Sequence, residues 1–387
     1  MRRSPWSTLV VLAVAQFMVV LDVTIVNVAL PHVQSDLKFS TNDLQWVISA
    51  YTLIFGGFLL LGGRAADLLG RRLVFVIGLA AFSAASLAAG LANTALELVL
   101  FRGAQGLGGA LLSASALTLL TVTFEHGRRR NIALGVWGGL AGLGGTMGAV
   151  VGGALVDSLS WRWVFLVNVP FGILVIAASF FIVRESRAPR TAARTFDFAG
   201  ALLSTAGLLA IMLGFIQAQP LGWASFEVIA LLVGGVALLG AFVIVESRST
   251  APLIPLRLFR TRSLSFAVIT LGLNSAGFLS MFFLTAIYLQ EVRGLSALDA
   301  GLEFLPMGVA AIVGALLGSR LVTSLGTRPV QIASAVLSVA GLLLLSARRR
   351  DGCLPHRPAA RLHPVRHRHH RHRRGRAGRC DLQGRKR

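Results

Sequence analysis

Charge is scarce in this chain. Only 14% of its 387 residues are Asp, Glu, Lys or Arg, against roughly 25% in an average soluble chain. That shortage excludes an ordinary water-exposed globule. Cysteine is nearly missing too: Cys353 and Cys380 lie far apart near the end of the chain, which excludes a disulfide framework and a zinc-ribbon spacing. No Walker-type G-x-x-x-x-G-K-[ST] occurs, so nothing points to ATP hydrolysis. His32 and His126 stand at span ends without Cys or acid clusters around them, so no catalytic constellation, metal site or cofactor is expected. The long apolar runs lack the period-2 alternation of barrel strands. No A-x-A cleavage site follows the first of them, which therefore reads as a span and not a removable signal.

What the chain has in abundance is apolar length: 55% hydrophobic residues, 42 glycines and a mean hydropathy of +0.73. A bilayer core demands about 20 apolar residues at 1.5 Å each. Cutting at charge and Gly/Pro punctuation predicts eleven helices: Thr8–Leu30, Leu44–Gly63, Leu73–Ala92, Leu96–Thr121, Ile132–Val156, Trp163–Val183, Phe198–Gln217, Phe226–Val245, Leu264–Gln290, Leu298–Val322 and Val330–Ser346. In lipid such segments must satisfy their backbone groups internally, which only helices of this length do. The fold class is an all-α integral membrane protein.

The net charge of +21 raises the question of nucleic acid, and its distribution answers it. From Arg348 onward 15 basic residues face only Asp351 and Asp381, a net +13, whereas the preceding 347 residues carry a net +8. Nucleic acid is not an expected partner of the membrane part. Basic residues also orient a membrane protein, because they accumulate in cytoplasmic loops. With the N-terminus inside, inner loops hold 18 of them, including Arg64, Arg71, Arg72, Arg128 to Arg130 and Arg257 to Arg262, and outer loops hold only Lys38, Arg162 and Arg293.

Two segments share a pattern at a constant offset of 256. Phe39–Asp43 matches Leu295–Asp299, and Gly62, Arg64, Leu69, Gly70 and Arg72 match Gly318, Arg320, Leu325, Gly326 and Arg328. In each first segment a serine stands three residues before an aspartate, a helix N-terminal box. Repeated halves of six spans are how one class of transporters is built, with substrate bound at their interface. An offset of eight helices implies an inserted pair. The expected organisation is a six-helix bundle over 1–183, an inserted pair with basic flanks over 184–262, three spans of a second bundle over 263–347 and an Arg/His-rich tail over 348–387.

Between the second and third spans stands Gly63-Arg64-Ala65-Ala66-Asp67-Leu68-Leu69-Gly70-Arg71-Arg72. It resembles the G-x-L-A-D-R-x-G-R-K loop of the major facilitator superfamily, with Ala65 in place of the leucine and Leu68 in place of the first arginine. Three further stretches resemble the fourteen-span drug:proton antiporters: Leu21-Asp22-Val23-Thr24 through Pro31, Arg102-Gly103-Ala104-Gln105-Gly106, and Trp161-Arg162-Trp163 through Asn168-Val169-Pro170. Ala300-Gly301-Leu302 with Pro306 is similar to the family's second half. The resemblance implies the major facilitator fold and a multi-pass exporter in a bacterial inner membrane. Proton influx would expel small hydrophobic or amphipathic compounds by alternating access, and the expected unit is a monomer whose partners are substrate, protons and lipid. A membrane receptor or scaffold without transport is the competing reading.

Several residues carry this expectation. Gly63, Asp67, Gly70, Arg71 and Arg72 form a conformational latch, the plainer reading being a charged turn that only orients the chain. Asp22 and Arg102 sit at a depth of about 9–12 Å at 1.5 Å per residue, where ionisable groups are costly and face a cavity or each other. They act as a proton relay or as a fixed ion pair between the first and fourth helices. Gly144, Gly148 and Gly152, beside Gly145 and Gly153, place small residues on one helix face for close packing. Related exporters carry G-P-x-x-G-G here, and this chain has Ala149 where the proline would stand. Trp161 and Trp163 read as anchors at the headgroup layer. Gln16, Asn27, Gln105, Asn274 and Gln290 either line a cavity or bond neighbouring helices.

The tail breaks the pattern, since eleven spans from an inner start would put its charges outside. With GC-rich coding implied by 35 arginines against two lysines, the expectation is that a frameshift or premature end has replaced the last three of fourteen spans. A basic arm for nucleic acid or anionic lipid, a metal site on His367, His369, His370 and His372, and a tail without a role are the alternatives.

Overall fold

The computed structural model describes residues 4–124, 127–187, 198–249, 256–295 and 297–348. Among these residues every regular element is a helix, and eleven helices are long and apolar enough to cross a membrane. The tail beyond Arg348, with its histidines and cysteines, lies outside the described residues.

Helix α1 (Pro5–Leu37) starts where the Ser4 hydroxyl accepts from the Trp6 amide, with Pro5 in the first position, where its missing N–H costs nothing. It runs seven residues past the expected stop at Leu30. Pro31 lies inside it and removes one backbone bond without ending the helix. The end is set instead by Lys38 in the left-handed region (φ 55°), whose amide closes onto the Gln34 carbonyl. The short α2 (Thr41–Leu44) follows. There Ser40 Oγ accepts from the Asp43 amide at 3.1 Å and donates to the Asp43 carboxylate at 2.6 Å, as the serine-to-aspartate spacing predicts.

Helices α3 (Trp46–Leu69) and α4 (Arg71–Gly90) meet at Gly70, whose φ of 126° favours glycine. Helix α5 (Ala95–Thr123) opens with a capping box between Thr94 and Glu97, and α6 (Arg128–Ser158) follows. The sixth span is broken into α7 (Trp163–Leu166) and α8 (Asn168–Ile182). Pro170, lacking an amide hydrogen, cannot bond the Leu166 carbonyl, and the break falls there. Helices α1, α3, α4, α5, α6 and α7–α8 pack as one bundle, with α5 against α3 and α4, α1 against α6 and α8 against α4.

The bundle's apolar core is in two parts. One lies toward the Pro5 end of α1 and includes Leu12, Phe75, Leu79, Phe82 and Leu120. The other lies toward the Leu37 end and includes Ile25, Ala29, Val33, Leu98 and Phe165.

Helices α9 (Phe198–Leu221) and α10 (Phe226–Arg248) pair with each other, and α9 also lies on α3. A 3-10 turn, Leu256–Arg260, leads into α11 (Arg262–Ile287) and a π-helical turn, Tyr288–Val292. Helices α12 (Ala297–Glu303) and α13 (Leu305–Leu325) pack against α6. Helix α13 ends at Gly326 with φ 85°, 256 residues after Gly70. The same backbone event thus closes the helix at both ends of the sequence offset. Ser296, the second copy's serine, lies outside the described residues.

Residues from Gln331 onward form a separate unit. Within it the rest of α14 (Thr327–Arg348) exposes Ile332, Val336, Leu337 and Leu342 to Leu345. In the first unit, Val10, Ile173, Leu174, Phe181 and Phe226 are also exposed. A surface this apolar marks contact with lipid or another apolar partner.

Candidate functional site

Between the two halves of the apolar core lies a polar cluster sealed from solvent. Asp22 on α1 is 0% exposed and Arg102 on α5 is 1% exposed, and their side chains meet at 2.6 Å. The helix depths read from sequence place them level with each other, and the structure joins them. Arg102 Nη1 also donates to Gln105 Oε1 at 2.6 Å, and its Nε donates to the Val47 carbonyl on α3 at 2.9 Å. Two rings cover the guanidinium, Tyr51 at 4.4 Å and Phe165 at 5.7 Å from their centroids.

The carboxylate is equally well held. Asp22 Oδ2 takes Arg102, and Oδ1 accepts from Gln105 Nε2 at 2.8 Å and Asn168 Nδ2 at 3.0 Å. Both amides also donate to Ser86 Oγ on α4. The cluster thus joins α1, α3, α4, α5, α7 and α8, and Asp22 itself takes donors from α5 and α8. Arg102, Gln105 and Asn168 all approach Asp22 as donors, the arrangement a charged carboxylate requires.

Asn168, Ser86 and Tyr51 are the members that sequence reasoning did not single out. Neutral polar residues are common in membrane helices and carry no cost that flags them. For Asn168, its place in the Trp161–Pro170 stretch was the available signal. Of the other polar candidates, Asn27 donates to the Val23 carbonyl of its own helix and Asn274 is exposed. Gln16 Oε1 has no bonding partner among the described residues. The Gln290 side chain lies outside the described ones.

A different face of α5 borders an apolar groove of about 420 Å³ against α3, lined by Trp46, Leu53, Phe58, Leu100, Gly103 and Leu107 among others. At the α2 end it meets a second hollow of about 360 Å³, which shares Trp46 and Val99 and is lined by Lys38, Ser40 and Asp43. Along the α3–α5 groove, but not in the second hollow, small apolar groups could lie without meeting a charge.

The Gly63–Arg72 stretch, expected as a loop, is instead the last turns of α3 and the first turn of α4 joined at Gly70 alone, and it is held by contacts that the sequence only half foretold. Asp67 accepts from Arg71 at 2.8 and 3.0 Å, a local pair one helical turn apart. The long-range contacts come from the segment after α8: the Arg71 amide donates to the Ser186 carbonyl at 3.0 Å, and Glu185 holds the start of α4. Its carboxylate accepts from the Arg72 and Leu73 amides at the start of α4, both at 3.1 Å. An acid there satisfies orphan donors and suits the positive helix end. A Cβ on Gly70 would come within 2.9 Å of Glu185 Oε1, so Gly70 supplies both the turn and the room. Gly63, in contrast, has open space where a Cβ would stand.

Helix α6 uses its glycines on two faces. A Cβ on Gly144 would meet Val20 at 2.6 Å, on Gly148 it would meet Thr24 Oγ1, and on Gly152 it would meet Ile25 at 2.9 Å, all on α1. Thr24 Oγ1 also donates to the Gly144 carbonyl at 3.1 Å. Gly153 belongs to the other face, 3.2 Å from the Leu298 backbone of α12, and Gly139 stands 3.5 Å from Ala315 of α13 by the same measure. The sequence had put Gly153 in one packing group with the others.

The two tryptophans part company. Trp163 is 43% exposed, whereas Trp161 is 6% exposed, and its Nε1 donates to Asp36 at 2.9 Å. Trp161 is therefore not seated as a headgroup anchor. Arg162 stacks on it at 4.7 Å, approaches Asp36 at 3.6 Å and donates to the Ala92 carbonyl at 2.6 Å. This ties the ends of α1 and α4 to the link between α6 and α7.

Comparison with known proteins bears on the whole chain. The sequence profile described as Major Facilitator Superfamily matches residues 12–349. A tetracenomycin C resistance and export protein of Streptomyces glaucescens is 36% identical over 91% of this chain and 65% of its own length. A puromycin resistance protein of Streptomyces alboniger is 40% identical over 89% and 68%, and a cephamycin export protein of Amycolatopsis lactamdurans is 41% identical over 79% and 63%. The chain thus spans about two thirds of the length of these relatives. Among solved structures, the proton:xylose symporter XylE superposes with a TM-score of 0.51 at 16% identity, over 82% of this chain and 69% of that one. A peptide transporter, POT, gives 0.54 at 19%, over 81% and 68%. At such identities these two speak to the fold alone.

Proposed function

Because this chain belongs to the Major Facilitator Superfamily, we propose that it is a bacterial cell-membrane exporter of small hydrophobic or amphipathic compounds, driven by proton influx. The relatives' names supply the class of cargo, resistance and export of antibiotics. The apolar groove between α3 and α5 supports it, since it offers such compounds a wall without charge. The arginine asymmetry supports an N-terminus on the cytoplasmic side. The unit of function is taken as a monomer.

The observation that carries the coupling is the sealed network around Asp22 and Arg102. A proton reaching Asp22 would cancel its charge and oblige the carboxyl group to become a donor among donors. Arg102 would then keep the Val47 carbonyl, Gln105 and two aromatic rings, so neutralising the acid does not strand the cation. Protonation thereby weakens the joint between α1 and α5 and leaves the cation held. A ligand or proton shifts a conformational equilibrium by its differential affinity for the two states, and loosening this joint is such a difference. The second state admits the proton, because the joint in the state described is dry. In this scheme the α3–α4 junction over Gly63–Arg72, clasped by Glu185, is the latch that changes with the halves.

Inverted membrane vesicles with an acidified lumen, given a fluorescent cationic dye in the outer medium, test the reading. Wild-type protein should concentrate the dye, with collapse on adding a protonophore. Asp22→Asn should bind dye but lose uphill transport. Retained proton-dependent accumulation in that variant would sink the relay, and no accumulation in wild type would sink export by this chain.

A further inference from the structure

A short basic turn joins α10 to α11, and neither the export site nor the bundle core uses it. Residues Leu256–Arg260 form a 3-10 helix, in which positions three apart stack one above the other. Arg257 and Arg260 are therefore on one side, and Leu256 and Phe259 on another. The turn is not slack. Ser265 Oγ donates to the Phe259 carbonyl at 2.7 Å, and the Thr261 amide closes onto the Leu258 carbonyl at 3.0 Å. Leu258 is 48% exposed and Phe259 44% exposed. Arg257, Arg260 and Arg262 are exposed as well, and among the described residues none of the three is in an ion pair.

This combination is unlike an ordinary solvated loop. Two large apolar side chains left in water would be unfavourable by the usual measure of apolar area, and three guanidinium groups without carboxylates lack the partners arginine takes in bidentate pairs. Both lacks are met by one surface. Helix α10 ends at Arg248 and α11 begins at Arg262, both spans of membrane length, so the turn between them is held at the boundary of the hydrocarbon. Apolar groups there enter the acyl layer while arginines reach phosphates, as in interfacial segments generally.

We propose that Leu256–Arg262 is a binding site for an anionic phospholipid of the cytoplasmic leaflet, its headgroup phosphate held by Arg257 and Arg260 with Arg262 alongside, and its acyl chains against Leu258 and Phe259. The leaflet assignment rests on the cytoplasmic N-terminus proposed above. The lipid site itself does not. A bound lipid would hold the turn that touches both the end of α10 and the start of α11 at the leaflet surface.

The test uses the full chain purified in maltoside micelles, which have no sides, so its outcome is independent of orientation and of export. Phosphatidylglycerol or phosphatidylcholine of the same acyl chains is titrated in, and bound lipids are counted by native mass spectrometry. Wild type should retain phosphatidylglycerol at least about fivefold more tightly. The triple variant R257Q/R260Q/R262Q should weaken it about tenfold or more, given a contribution on the order of a few-fold per arginine. R257K/R260K/R262K, which keeps the charge, should lose far less. A matched control, R128Q/R129Q/R184Q, removes three exposed arginines elsewhere and should change little. Equal retention of the two lipids, equal loss in the control, or full displacement by millimolar inorganic phosphate would overturn the assignment.

Discussion

Arg102 has more partners than a simple ion pair provides, and this decides what its loss would do. Arg102→Ala would leave Asp22 buried with only the Gln105 and Asn168 amides. Orphaning one member of a buried pair costs about 3–5 kcal/mol. The expected result is a steep fall in melting temperature in detergent, read by fluorescence-detected size exclusion. The double variant Asp22→Asn/Arg102→Gln removes both charges and should recover most of that stability while remaining inert in transport. If the double variant melts as low as Arg102→Ala, the charge argument is wrong and lost packing around Tyr51 and Phe165 is the cause. At this scale the sequence revealed the two ions, because charge inside hydrocarbon is rare enough to notice. Glu185 and Asn168 stayed hidden. Glu185 sits among other charged residues after a span, and only folding brings its carboxylate to amides more than 110 positions earlier.

Helix α6 shows how one pattern can serve two surfaces. Gly148 faces α1 so closely that a Cβ would overlap Thr24 Oγ1, while a Cβ on Gly138 would meet nothing. Gly148→Ala should therefore destabilise the bundle by roughly 1–3 kcal/mol, in the range for overpacking, and Gly138→Ala should be neutral. Adding Thr24→Ala removes the obstructing hydroxyl but leaves the residue-24 Cβ 2.8 Å away, so it should restore only part of the loss, measured as melting temperature in detergent. A Gly148→Ala protein as stable as wild type would mean that α1 does not lie where described. The glycine spacing predicted a close-packed face, and Gly144, Gly148 and Gly152 supply it. That Gly153 turns instead to α12 could not be read from spacing, since a step of one residue rotates about 100° around the helix and the neighbour there comes from far along the chain. Helix ends show the same division. The serine-to-aspartate box before α2 and the glycine after α3 were legible, but Pro31 looked like a stop and is not one.

For the molecule as a whole, orientation is the quantity most exposed to test. Short epitope tags placed in the loops at Arg128 and Arg187 should be unreachable from outside in intact cells and become reachable after permeabilisation, whereas a tag next to Arg293 should be labelled in both. Labelling of the first two from outside would reverse the orientation. The sequence by itself determined that these segments are membrane helices, how many the described part contains and which family they belong to. Hydropathy and helix length are properties of each segment in its solvent and need no partner. It also brought Asp22 and Arg102 to one depth, because rise per residue is fixed. Only the tertiary structure decided that Asn168, Gln105 and Ser86 complete that pair, that Trp161 turns inward to Asp36, and that the long-range contacts at the α3–α4 junction come from Glu185 and Ser186. Those outcomes depend on the azimuth of one helix against another. Azimuth is set by side-chain packing among segments distant in the chain, and a linear pattern does not encode it.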